Sequence, residues 1–299
     1  MWIYLSFLSA LFLGVYEVSK KASLNENAVI PVLFLNTVFG SLIFLPLAIV
    51  SSVWPDVMQG SEFYLPPTSL REHGLIFIKA LIVLSSWIFN YFATKHLPLT
   101  LSGPIKATQP VVVLLGALLI FGERLNLLQW IGVLMAFLSF YLLSHSGRKE
   151  GINFRHDRWV WFLVMAVLTG AGSALYDKYL LRSLNVMIVQ SWFNFYQFFT
   201  MLPILFFLWY PRRKHTTKFH WSWSIPLISI FLAIGDFLYF KALTDADSMI
   251  SIVSMIRRSN VLVVFLAGAW IYHEKNLKAK ALDLLLVVIG MFFLYLGSK

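Results

Sequence analysis

The residues best able to do chemistry in this chain are charged and polar groups embedded in long apolar runs. Lys106, Arg257, Arg258 and Asp236 fall well inside such runs, with Gln109, Asn260, Tyr239, Asn36 and Asn194 beside them or in neighbouring runs. A charge at the centre of a membrane-spanning helix costs about 2.5–3.5 kcal/mol on insertion scales, so these groups should face a protein interior and carry function. Ser102, Lys106 and Gln109 are spaced as one helical stripe, flanked by Pro104 and Pro110, which can bend the helix and free its carbonyls. Arg257 stands to Asn260 as Lys106 stands to Gln109. Asp236 and Tyr239 share a helix face, with Asp236 able to neutralise an arginine or to carry a proton. Counted this way, the deep cations outnumber the deep carboxylate. Arginine and lysine hold carboxylate and phosphate well, so the expected chemistry is capture of an anion.

Other chemistries are excluded or lack their signatures. There is no cysteine, hence no disulfide, thiolate metal site or cysteine nucleophile. No His-Glu-x-x-His, Gly-x-Ser-x-Gly, aspartate cluster or phosphate-binding glycine loop occurs, and the seven histidines are scattered. No cofactor is expected. The net charge of +10 lies in short stretches between apolar runs, without a basic–aromatic groove pattern, so it reads as membrane topology and not nucleic-acid binding.

The elements that must position these residues are long helices in a bilayer. Of 299 residues, 59% are hydrophobic and 13% charged, and the mean hydropathy is +0.75. Soluble domains are nearer 45–50% apolar and about 25% charged. A spanning helix needs about 20 mostly apolar residues. Ten segments qualify: 2–19, 29–53, 74–94, 99–121, 127–145, 158–181, 186–209, 224–243, 247–271 and 279–297. The expected fold is all-α. Met1 opens directly into an apolar run without a basic stretch, so the first segment reads as a retained helix and not a cleaved signal. Residues 54–73, with Trp54, Pro55, Pro66 and Pro67, read as an ordered or interfacial loop. Tryptophans cluster near segment ends, as in an interfacial belt.

The chain reads as two related halves, 1–146 and 158–299, joined by a polar linker at 147–157. Lys20 and Lys178 are 158 positions apart, as are Asn36 and Asn194. Lys106 and Arg257 are 151 apart, as are Gln109 and Asn260, and Glu123 and Glu274. Five segments per half place the second copy upside down, the inverted-repeat plan of many carriers. Glu123 and Glu274, at the ends of the fourth and ninth segments, read as structural: each can cap the following helix or pair with Arg124 or Lys275. Glu17, Lys20 and Lys178 read as gating pairs or interface markers, and Lys79 as a lysine snorkelling to the interface.

Pro98, Pro110, Gly116, the corner Gly122-Glu123-Arg124-Leu125, then Gln129 and Gly132 resemble the pattern of EamA-like members of the drug/metabolite transporter superfamily. The second half carries a degraded copy, His273-Glu274-Lys275, with Asp283 where a glycine is expected. The resemblance implies a secondary carrier in an inner cell membrane, with a central cavity between the halves. It also implies a small-molecule substrate, with a proton or counter-substrate as a possible coupling partner. Basic residues on the fourth and ninth helices, as in related sugar-phosphate translocators, strengthen the expectation of an anionic solute held by Lys106, Gln109, Arg257, Arg258, Asn260, Asp236, Tyr239, Asn36 and Asn194. The alternatives are an amino-acid or drug exporter of the same fold, or a membrane-embedded enzyme. Lys and Arg are concentrated after odd-numbered segments, which places both termini outside the cytoplasm.

Overall fold

A computed structural model describes residues 1–121, 126–148, 156–245, 248, 250–274 and 277–297. Its elements are helices: α1 (Trp2–Leu24), α2 (Val29–Val53), the short α3 (Pro55–Met58), α4 (Leu70–His96), α5 (Leu99–Ala107), α6 (Gln109–Phe121), α7 (Leu127–Arg148), α8 (Arg158–Leu180), α9 (Val186–Pro203), α10 (Ser224–Leu243), α11 (Ile250–Arg258), α12 (Asn260–Trp270) and α13 (Leu277–Gly297). After α9 the chain loosens into a π-helical turn, Ile204–Trp209, just past Pro203. Seven helical stretches among the described residues are long and apolar enough to cross a membrane: Trp2–Leu24, Val29–Val53, Leu70–His96, Arg158–Leu180, Val186–Arg212, Ser224–Leu243 and Lys280–Gly297.

Local chemistry explains where the helices start. Ser69 accepts from the Glu72 amide while the Glu72 carboxylate accepts from the Ser69 amide, a reciprocal cap that starts α4 four residues earlier than its apolar run begins. Asp157 caps α8 through the Trp159 amide, and Asn185 caps α9 through Met187. The 54–73 loop of the sequence reading holds α3 and the first turn of α4.

The fourth and ninth predicted segments are each broken in two. Pro110 has no amide hydrogen and so cannot bond the Lys106 carbonyl. The chain tightens at Thr108, whose amide and hydroxyl both donate to the Ile105 carbonyl. The second break falls at Ser259, 151 positions later, where the Ser259 amide bonds the Ile256 carbonyl. No proline stands there. Each half of these segments is too short to span a membrane alone.

Several helix contacts recur when the first and second halves of the chain are exchanged. Contacts of α1 with α10 correspond to those of α8 with α4, α2 with α10 to α9 with α4, and α1 with α12 to α8 with α6. The pairs α2–α9 and α7–α13 map onto themselves. Close approach is made possible by small residues. A Cβ at Gly14 in α1 would lie 2.5 Å from the Val263 Cβ of α12, and one at Gly103 in α5 would lie 2.8 Å from Val261. One apolar core joins Leu13, Tyr16, Leu33, Leu84 and Ile228, and a second joins Ile76, Leu180, Val189 and Phe193. The outward surface stays apolar, with Leu8, Leu42, Phe77, Phe199, Phe207, Leu266 and Phe292 exposed. So much outward apolar surface suits a lipid solvent and not water.

Candidate functional site

The two broken segments place their polar residues against one cavity of about 160 Å³ between the halves. Of the residues singled out in sequence, Lys106, Gln109, Asp236, Tyr239, Arg257, Arg258 and Asn260 line it. Their elements explain the convergence. α5, α6, α11 and α12 contribute residues on either side of their breaks, and α10 faces them with Asp236 and Tyr239.

The cavity wall carries ion pairs, of which the sequence anticipates an arginine with Asp236. Lys106 Nζ bonds the Glu17 carboxylate of α1 at 2.7 Å, and Lys20, fully buried, bonds the same carboxylate at 2.7 Å. Arg257 pairs with Asp236 and lays its guanidinium 4.0 Å from the centre of the Tyr239 ring, a cation–π contact. Lys79 of α4 pairs with Asp177 of α8, and both are buried. Lys79 therefore points inward and does not snorkel to the membrane interface. Among the described residues, four cations and three carboxylates line the cavity, and Lys20, set behind Glu17 and sharing its carboxylate with Lys106, adds a fifth cation.

Arg258 is the exception among these cations. It lines the cavity without a side-chain hydrogen bond or ion pair among the described residues. Gln109 and Asn260 are over nine-tenths buried, line the same space and have no side-chain hydrogen bond among the described residues. A guanidinium and two carboxamides facing one cavity without protein partners form an incomplete shell suited to a polar solute.

Asn36 and Asn194 lie apart, on a smaller adjoining space shared with Gly40, Gln190 and Ser229. The Ser229 hydroxyl lies 2.9 Å from Asn36 Oδ1 and 3.0 Å from its carbonyl; Asn194 Nδ2 donates to the Gln190 carbonyl at 2.8 Å. Asn36 ties α2 to α10 through Ser229, whereas the Asn194 side chain bonds within α9 and packs closely on α2, where a Cβ on Gly40 would lie 2.6 Å from Asn194 Oδ1.

Asp177 is the cavity residue that sequence reasoning missed. Gly170, Ser173 and Asp177 recur at helical spacing on one face of α8, and all three line the cavity. That stripe was the available signal, masked by Lys178 and the nearby helix end.

One end of the bundle, where α1 and α4 finish, is cross-linked between the halves. Glu274 accepts from the Leu99 amide at 2.6 Å and the Thr100 amide at 2.8 Å, and also from the Thr100 hydroxyl. Lys280, buried, donates to the same hydroxyl at 2.7 Å. Glu274 thus caps the start of α5 in the opposite half. Ser23 meets Ser224 at 2.6 Å, Asn27 donates to the His220 carbonyl at 2.6 Å, and Lys95 donates to Thr217 at 2.7 Å. Glu123, with the rest of the Gly122–Leu125 corner, lies outside the described residues. So does Lys275.

Comparison with known proteins agrees with this architecture. A solved crystal structure superposes with a TM-score of 0.68 over 99% of this chain and 97% of that one, at 14% identity, a likeness of fold. An uncharacterized transporter of Archaeoglobus fulgidus is 24% identical over 271 residues, covering 88% of this chain and 86% of that protein. The model of the EamA-like transporter family matches twice, at residues 1–145 and 157–296. With both halves matched, an apolar outer surface and a polar cavity between the halves, the chain belongs to the EamA-like transporter family and is a multi-pass membrane protein.

Proposed function

We propose that this transporter is a secondary carrier for a small organic anion, moved by alternating access through the cavity between two inverted five-helix repeats. The reading includes ten spans, with the α5–α6 and α11–α12 pairs each crossing as a broken helix, and a location in an inner cell membrane. The half-to-half symmetry of the packing, the matched breaks at Thr108 and Ser259 and the doubled family match support the repeat. Broken helices at a repeat interface are where carriers place their solute sites.

The observation that carries the anionic assignment is Arg258, a cavity cation without a counter-ion among the described residues. The sequence places the anion between Lys106 and Arg257, but each of those already holds a carboxylate. The proposed contact therefore moves to Arg258, with Gln109 and Asn260 completing the shell and Lys106 and Arg257 set behind it. A charge-assisted contact of this kind contributes roughly 1.5–3 kcal/mol. Losing it weakens binding by about one to two powers of ten.

Counterflow in proteoliposomes tests the reading. Vesicles preloaded with a mixture of small organic acids should accumulate a labelled acid from that mixture, and Arg258→Gln should abolish the accumulation at low substrate. Accumulation of organic amines in place of acids, or accumulation indifferent to Arg258→Gln, would overturn it.

A further inference from the structure

We infer that the solute is a small hydroxylated acid with no ammonium group; this rests on the carrier reading above and narrows it. Each cavity carboxylate is already matched: Glu17 to Lys106 and Lys20, Asp236 to Arg257, and Asp177 to Lys79. An incoming ammonium would have to displace a protein cation from one of these pairs and leave that cation buried without a partner, at high cost. An incoming anion meets Arg258 without displacing anything. With Lys106 and Lys20 sharing the single Glu17 carboxylate, the wall holds an excess of positive charge beyond Arg258 itself.

The neutral part of the wall indicates the rest of the molecule. Gln109, Asn260, Ser173 and Ser254 are all more than nine-tenths buried, line the cavity and have no side-chain hydrogen bond among the described residues. Carboxamides present a donor and an acceptor each, and a serine hydroxyl presents both. A plain alkyl acid would leave most of these groups unsatisfied, whereas hydroxyl groups on the solute, themselves donors and acceptors, answer them. Size sets the other limit. A cavity of about 160 Å³ is close to the ~150 Å³ space that admits benzene. The solute therefore has a short carbon skeleton, and nucleotide-linked sugars are too large for the cavity in this state.

Four molecules on one three-carbon skeleton separate the possibilities: glycerate, serine, glycerol and glycerol 3-phosphate. They would be titrated into purified wild-type protein, Arg258→Gln and Gln109→Leu, with binding read by calorimetry and by thermal stabilisation. Glycerate and glycerol 3-phosphate should bind in preference to serine and glycerol, and Arg258→Gln should weaken both ten- to a hundredfold. Gln109→Leu should weaken glycerate more than propionate, which lacks the hydroxyls. Arg258 has no partner to orphan, so its variant is expected to fold, and the intact unfolding transition verifies this. Preferred binding of serine that is still lost in Arg258→Gln overturns the proposed solute class while leaving the anion-carrier reading in place. Preferred binding of glycerol, or binding of any of the four that ignores Arg258→Gln, overturns both. No binding by any of the four overturns the solute class.

Discussion

Arg257 and Arg258 are neighbours in sequence with opposite circumstances in the fold. Arg257 has a carboxylate and an aromatic ring; Arg258 has neither ion pair nor hydrogen bond among the described residues. That difference separates binding from stability. Breaking a buried ion pair by removing one partner costs about 3–5 kcal/mol, because the other charge stays buried. Lys79→Met should therefore lower the unfolding temperature markedly, and adding Asp177→Asn should recover most of the loss, as read by thermal unfolding in detergent. Arg258→Gln should unfold at or above the wild-type temperature. Chain pattern alone makes Arg257, Arg258 and Lys106 legible as interior groups, since a charge deep in an apolar run has few other places to go. The pattern does not reveal which of them is already neutralised. That depends on contacts between α4 and α8, between α1 and α5, and between α10 and α11, each distant in sequence except the last. Lys79 illustrates the limit: near a helix start it reads as an interfacial lysine until Asp177, 98 residues away, is brought against it.

The helices themselves are largely legible, because every apolar run of about 20 residues has one obvious fate in a bilayer. The breaks are only half legible. Pro110 announces the first through its missing amide, but the second, at Ser259, has no proline and is found by the 151-residue correspondence with Thr108. Glu274 is the other element-scale surprise, since it caps α5 from the opposite half. A carboxylate on free amides at a helix start is favourable both as a cap and by the helix dipole. Because this contact joins the halves, it should hold that end of the bundle shut. Glu274→Gln keeps the shape and removes the charge. In the cysteine-free chain, a single cysteine at Ser19 should then react faster with a small impermeant thiol reagent added from that side. An unchanged labelling rate would show that the contact is a cap without a gating role.

At the scale of the whole molecule, the connections at the Lys95 end hold most of the basic residues, including Lys21, Arg212, Arg213 and Lys214. The positive-inside rule puts that end in the cytoplasm. A cysteine at Ser61, in the exposed loop before α4, should react with an impermeant reagent in intact cells, while one at Thr216 should be protected until the cells are opened. The reverse pattern would invert the topology. The claim beneath all of this is that the cavity selects negative charge through Arg258, and a test of it requires no knowledge of the natural solute. A single cysteine at Ser254, on the cavity wall, would be treated with anionic and cationic methanethiosulfonates of matched size, in otherwise wild-type protein and with Arg258→Gln. The anionic reagent should modify Ser254→Cys faster than the cationic one, and Arg258→Gln should erase or reverse that preference. Faster modification by the cationic reagent, or a preference untouched by Arg258→Gln, would contradict it.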